Sequence, residues 1–243
     1  MINRTALEQS EQRIREIATE VATTLHLEEQ SAVWRAHRYT DDAPPIQLHI
    51  DDVSGIPFLD NVAGVARYQL RSRVRSRDGD IFTATVPDMP DYEAYNVDIL
   101  GLGRSHFVFA EGGDSPIEIA RACAQGAAFE KLVAIAQSLG GLTIHPYMGI
   151  EPVYELAQKL QISAEVPVAV LAPTPAVTWY ANDKIHLHRL VTELLGSDYV
   201  VDTRITNSPE GLAKDLLELS SAHPMVAWKM ARCASAMGNL RYV

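Results

Sequence analysis

From about residue 104 onward, short apolar runs alternate with capped helical segments, and this alternation narrows the fold more than any other feature of the chain. The runs HFVFAE, LTIHPY, VPVAVLAP and DYVVDT read as strands, and helical patterns separate them. Strands linked through helices pair in parallel by right-handed crossovers. The expectation is therefore α/β: a Rossmann-like parallel sheet with helices on both faces. VPVAVLAP is apolar throughout, so it is expected at the sheet's centre. In such a sheet ligands bind at the carboxyl ends of the strands. Glu111 to Ser115, His145 to Tyr147 and Pro173 to Pro175 are expected at that edge.

Helix boundaries are written in the same stretch. Ser115 caps a helix that Pro116 opens, Glu118 completes the capping box, and Gly140-Gly141 ends the helix. Further helices are expected over EPVYELAQKL, from Asn182 to Leu195, and from Ser208-Pro209 to about Ser220. PMVAWKM reads as a last strand, followed by a loop of small residues.

The first hundred residues have a different grammar. Thr5 and Glu8 form a capping box, and Ile14, Ile17, Ala18, Val21 and Leu25 share one helical face. After Pro44-Pro45, Ile46, Leu48 and Ile50 alternate with polar residues, the pattern of a half-buried strand. Residues 65 to 77 alternate again, with Tyr68, Leu70 and Val74 opposite Arg67, Arg71, Arg73, Arg75 and Arg77. Asp78-Gly79 then signals a hairpin into a return strand over residues 81 to 86. The arginine row reads as an exposed strand face protected by charge; gripping a phosphate or an acidic partner is the functional alternative. The expected organisation is an N-terminal α+β extension over 1–103, a Rossmann-like domain over 104–195 and a further domain opening at 196–243.

The formal charge is −10, from 21 Lys and Arg against 31 Asp and Glu. So acidic a chain lacks the electrostatic footprint of a nucleic-acid binder or of a protein drawn to anionic membranes. Its 243 residues suit one or two domains. The two cysteines, Cys123 and Cys233, form no CxxC pair and read as free thiols in a reducing compartment. With no secretory leader and no membrane-length apolar run, the expected location is the cytoplasm. Oligomeric state is left open.

Several motifs have bland explanations. Gly101-Leu-Gly103 precedes its strand and reads as a turn, where a dinucleotide fingerprint would follow one. Gly113-Asp114-Ser115 with Asp183 and His186 in D-x-x-H spacing formally matches a Gly-Asp-Ser type esterase, yet Ser115 is accounted for by capping. His186 and His188 lie two apart on a helix and cannot share a metal, so no metal ligands are assigned. His145 reads as a packing or capping residue.

The C-terminal third carries the most specific pattern. Asn182-Asp183-Lys184 opens a helix; a strand, a helix and the strand ending in Lys229 follow; then comes the loop Ser235-Ala236-Met237-Gly238. Small residues let backbone N–H groups approach phosphate oxygens, and a lysine adds positive charge beside them. This order of elements over about residues 104 to 243 resembles the ATP-grasp ligase family: a pre-ATP-grasp domain and the start of an ATP-grasp domain, similar to pheganomycin-type peptide ligases. The resemblance implies ATP- and Mg-dependent joining of a carboxylate to an amine through an acyl phosphate. Lys184 and Lys229 match the family's two phosphate-contacting lysines, and Ser235, Ala236, Met237 and Gly238 match its phosphate-covering loop. The family's magnesium ligands and adenine-binding hinge would lie beyond Val243, so this chain alone is expected to be inactive, and no catalytic residue is assigned. The alternative from another class is a non-catalytic α/β module that binds a small molecule or a partner.

Overall fold

A computed structural model describes residues 4–112, 115–233 and 238–242. It divides into two compact units, Ser31–Thr178 and the combination of Met1–Gln30 with Trp179–Val243. The helices, in chain order, are α1 (Arg4–Thr24), α2 (Leu27–Ser31), α3 (Arg71–Arg75), α4 (Pro90–Ala94), α5 (Ile119–Cys123), α6 (Gly126–Leu139), α7 (Glu151–Ala164), α8 (Pro175–Ala181), α9 (Lys184–Leu195) and α10 (Pro209–Ala222). The strands are β1 (Gln47–Ile50), β2 (Ile81–Ala84), β3 (His106–Phe109), β4 (Leu142–Pro146), β5 (Val168–Val170), β6 (Val226–Lys229) and β7 (Asn239–Tyr242).

In the unit Ser31–Thr178, five strands form one sheet in the order β3-β2-β1-β4-β5, and every pairing in it is parallel. This is the doubly wound, Rossmann-type order, and it reverses direction between β1 and β4. Strand side chains alternate between faces. Leu48 and Ile50 lie on one face with Leu142 and Ile144, all fully buried. Helices α5, α6 and α7 pack against one another and against the strands. They supply Ile119, Cys123, Leu132, Val153, Leu156 and Leu160 to this apolar layer.

Gln47, His49 and Asp51 occupy the other face of β1 and its extension. Thr143, His145 and Tyr147 do the same on β4, with His49 opposite His145 in the register. Arg71 and Arg75 of α3 bond to groups at this end of the sheet, so α3 covers the polar face.

Five expectations are corrected. Residues 65–75 are helical: a 3-10 turn over Val65–Leu70 runs into α3. Their buried positions are Val65, Gln69, Ser72 and Arg73, spaced as on a helix but mostly polar, so the apolar pattern is blind to them. The link across Asp78-Gly79 is consequently not a hairpin, and β1 and β2 pair in parallel. No boundary falls at residue 103, because β1 and β2 join the same sheet as β3; nor does 195 separate two units. VPVAVLAP forms β5, an edge strand, not a central one. DYVVDT is not a strand, since Ser197–Tyr199 is a 3-10 turn followed by irregular chain. The expected single helix over residues 116–139 is two helices, α5 and α6.

The second unit contains α1, most of α2, α9, α10 and an antiparallel pair, β6 with β7. Each of the two later helices has a side-chain cap: Asp183 accepts from Ile185 N and His186 N, and Ser208 accepts from Gly211 N. Among the described residues no helix is long and apolar enough to cross a membrane.

Candidate functional site

Two places gather chemistry-bearing side chains, one in each unit. The first is the root of the β6–β7 connection. Lys184 sits at the start of α9, where its backbone N–H donates to Ala231 O at 3.0 Å. Its ammonium donates to Cys233 O at 2.9 Å and to Ala231 O at 3.4 Å. An ammonium has three N–H donors, so one remains to meet a ligand. Arg232 Nε donates to Asp183 Oδ2 at 3.2 Å, and its guanidinium lies over the Trp179 ring at 5.6 Å. Burial pushes the Asp183 carboxyl up, but the N–H groups of Ile185 and His186 and the Arg232 guanidinium outweigh it and hold its pKa below the ordinary value. The start of α9 is thereby fastened to the chain leaving β6.

Lys229 ends β6, paired with Asn239 and exposed. Met230 N donates to Gly238 O at 2.9 Å and closes the base of the loop. Gly238 has φ of 68°. A Cβ there would also press on Met230 Sδ and Cys233 Sγ, so glycine is required twice over. Ser235, Ala236 and Met237 lie outside the described residues. The structure thus brings Lys184 to the root of the loop that starts after Lys229. Asp183 caps α9 through its Oδ1 instead of orienting the His186 ring, and Ser115 Oγ accepts from Ile117 N at 3.4 Å. Gly113 and Asp114 lie outside the described residues.

The second place is the reversal point between β1 and β4, at the carboxyl ends of both strands. Arg71 Nε and Nη2 donate to the two oxygens of Asp51, at 2.9 and 3.3 Å. The Arg71 guanidinium stands 4.7 Å from the Tyr68 ring and 4.7 Å from the Tyr147 ring. Burial raises the pKa of Asp51, and Arg71 and Arg75 pull it back only in part. Arg75 Nη1 donates to Pro146 O at 3.4 Å, while Arg75 Nε and Nη2 are buried with no hydrogen-bond partner.

Behind them, His49 Nε2 and Asp80 Oδ2 are 3.0 Å apart, and His145 Nδ1 and Gln47 Oε1 are also 3.0 Å apart. The two imidazole centroids are 5.0 Å apart. Burial, His49 and Arg75 push the His145 pKa down to about 4. Asp52 faces the opposite side, accepting from Ala120 N at 2.8 Å and Ser54 N at 2.9 Å.

Of the three segments expected at the strand ends, His145 to Tyr147 alone reaches this reversal point. Glu111 follows β3 and Pro173 follows β5, which are opposite edges of the sheet. Four strand spacings of about 4.8 Å put those edges about 19 Å apart. The arginine row is also redistributed. Arg73 is buried and paired with Glu93, Arg71 with Asp51, and Arg75 is turned inward. The missed signal was the polar half of the alternation, Gln47-x-His49-x-Asp51 and Thr143-x-His145-x-Tyr147, which resembles a solvent face but is buried or half-buried everywhere except at Tyr147.

Among the described residues no group of three or more His, Cys, Asp or Glu could hold a metal ion. No family model, no curated protein and no solved structure matches the chain.

Proposed function

We propose that this chain supplies phosphate-gripping parts of an ATP- and magnesium-dependent ligase that joins a carboxylate to an amine. The observation that carries this reading is the docking of Lys184 onto Ala231 and Cys233, which sets an ammonium at the root of the loop after Lys229. A lysine ammonium is suited to phosphate oxygens. The Rossmann-type strand order in the other unit also suits a pre-ATP-grasp domain.

In this reading the γ-phosphoryl group moves from ATP to a substrate carboxylate oxygen and ADP leaves. The amine then attacks the acyl carbon and displaces phosphate. The chain's own part is positioning and charge: Lys184 and Lys229 hold phosphate oxygens, and the family resemblance assigns phosphate contact to Ser235, Ala236, Met237 and Gly238 as well. Magnesium, the cofactor the resemblance implies, would neutralise charge on the transferred phosphoryl group. The buried thiol of Cys123 suits a reducing compartment, and we place the reaction in the cytoplasm.

The test is calorimetric titration of the 243-residue chain with ATP. Lys229→Ala should weaken binding by about tenfold or more, the worth of a charge-assisted contact. Lys184→Ala should do the same, read beside its thermal unfolding because Lys184 also ties α9 to the loop. Ser115→Ala should leave affinity unchanged. Absence of ATP binding, or binding that Lys229→Ala does not alter, would contradict the proposal. A small-molecule binding module is the second reading, favoured by the buried, unpartnered Arg75 edge in the sheet unit.

A further inference from the structure

We propose that the reversal point between β1 and β4 is a binding site for a small carboxylate, received by the Nε–Nη2 edge of Arg75. This site lies in a different unit from the proposed phosphate contacts and stands whether or not Lys184 and Lys229 bind phosphate.

Two guanidiniums, Arg71 and Arg75, share one carboxylate at this corner. Arg71 takes both oxygens of Asp51. The neighbouring acids are engaged elsewhere. Asp80 accepts from Gln47 N and Arg77 N and meets His49, while Asp52 is held by Ser54 and Ala120 on the other face. Glu93 is bound to Arg73. Arg75 is left with a single donation, from Nη1 to Pro146 O. Its Nε and Nη2 atoms are shut off from solvent and unpartnered.

An unmet buried donor is costly, and two on one charged group are more so. The same two atoms form the edge of a guanidinium that matches the two oxygens of a planar carboxylate in parallel hydrogen bonds. They sit where an open parallel sheet receives ligands. Arg71 and Tyr147 are both exposed, stacked at 4.7 Å, and both lie within electrostatic reach of Arg75. A carboxylate reaching Arg75 restores charge balance, leaving one carboxylate for each guanidinium.

The experiment is a titration of the full chain with acetate and then succinate, at ionic strength matched with chloride, followed through the Arg75 Nε–H resonance. Inorganic phosphate is run in parallel. The expected result is a saturable shift with the carboxylates and a weaker response to phosphate. Followed through the Tyr147 amide, Asp51→Asn should tighten carboxylate binding several-fold, because the competing charge is gone. Arg75→Lys keeps the charge but loses the fork, and should weaken binding by about tenfold. A merely structural Arg75 predicts neither change. An Arg75 resonance that acetate and succinate leave unmoved would overturn the proposal, as would saturation by phosphate alone or an Asp51→Asn variant that binds no more tightly. The wild-type titration decides the matter even if a variant fails to fold.

Discussion

Arg73 and Arg75 stand two residues apart and meet opposite fates. Arg73 is fully buried and spends its donors on both oxygens of Glu93, on Gly103 O and on Ser76 Oγ. Arg73→Ala strands Glu93 and opens a cavity, so it should cost about 3–5 kcal/mol of unfolding free energy, measurable by urea titration. His145 gives the pH dependence its sign. The unfolded ring takes a proton near its ordinary 6.5, whereas the native ring refuses it down to about 4. The stabilisation is complete above that ordinary value and is lost as pH falls through the window between the two. Asp51 and Asp52, whose pKa values burial raises, work the other way, taking protons in the native state before the unfolded one. The melting temperature should therefore fall between about pH 7 and pH 5, and His145→Gln, which keeps a partner for Gln47, should flatten that fall. None of these roles was legible in residue type alone: five arginines in alternation give no sign of which will be turned inward.

At the scale of elements, the sequence spoke clearly where burial is apolar. The strands at 47–50, 81–84, 106–109 and 142–146 and helices α6 and α7 follow from apolar runs, and α9 and α10 also from their caps, whereas Ser115 caps neither α5 nor α6, whose N-caps are Glu118 and Gln125. It misled where burial is polar. The helical turn through Val65, Gln69, Ser72 and Arg73 buries amide, hydroxyl and guanidinium groups, so the strand-like period of Tyr68, Leu70 and Val74 falls on half-buried and exposed positions and does not mark the buried face. Gln69 explains the position. Its Nε2 donates to Ala66 O at 2.7 Å and to Thr85 Oγ1 at 3.1 Å, and its Oε1 accepts from Thr85 N, so it pins the turn to the end of β2. Gly149 does comparable work after β4, because a Cβ there would collide with the backbone oxygen of Pro173. Gly149→Ala should force the loops after β4 and β5 apart and cost about 1–3 kcal/mol, seen as a lower denaturant midpoint.

At the scale of the molecule, the alternation of strands and helices conveyed the parallel sheet but not its extent. The sheet begins at Gln47, more than fifty residues before the alternation becomes obvious, because β1 and β2 are joined through a helix whose buried face is polar. The helix that starts at Lys184 was legible in outline, through Asn182-Asp183-Lys184. The β1–β4 crevice was not, because its residues pass for a solvent face. Among the described residues the buried apolar side chains belong almost wholly to Ser31–Thr178, and Ile17 and Val226 are the ones in the other unit. Amides of β1, β2 and β4 should therefore exchange most slowly and those of α9 and α10 much faster.

That contrast makes amide hydrogen exchange with and without ATP the most direct test of the central claim, that Lys184 and the β6–β7 connection grip phosphate. ATP should slow exchange at residues 184–186 and across 226–242 while leaving β1, β4 and Tyr147 unchanged. Protection at the β1–β4 crevice with none across 226–242 would contradict the account and move the nucleotide to the sheet.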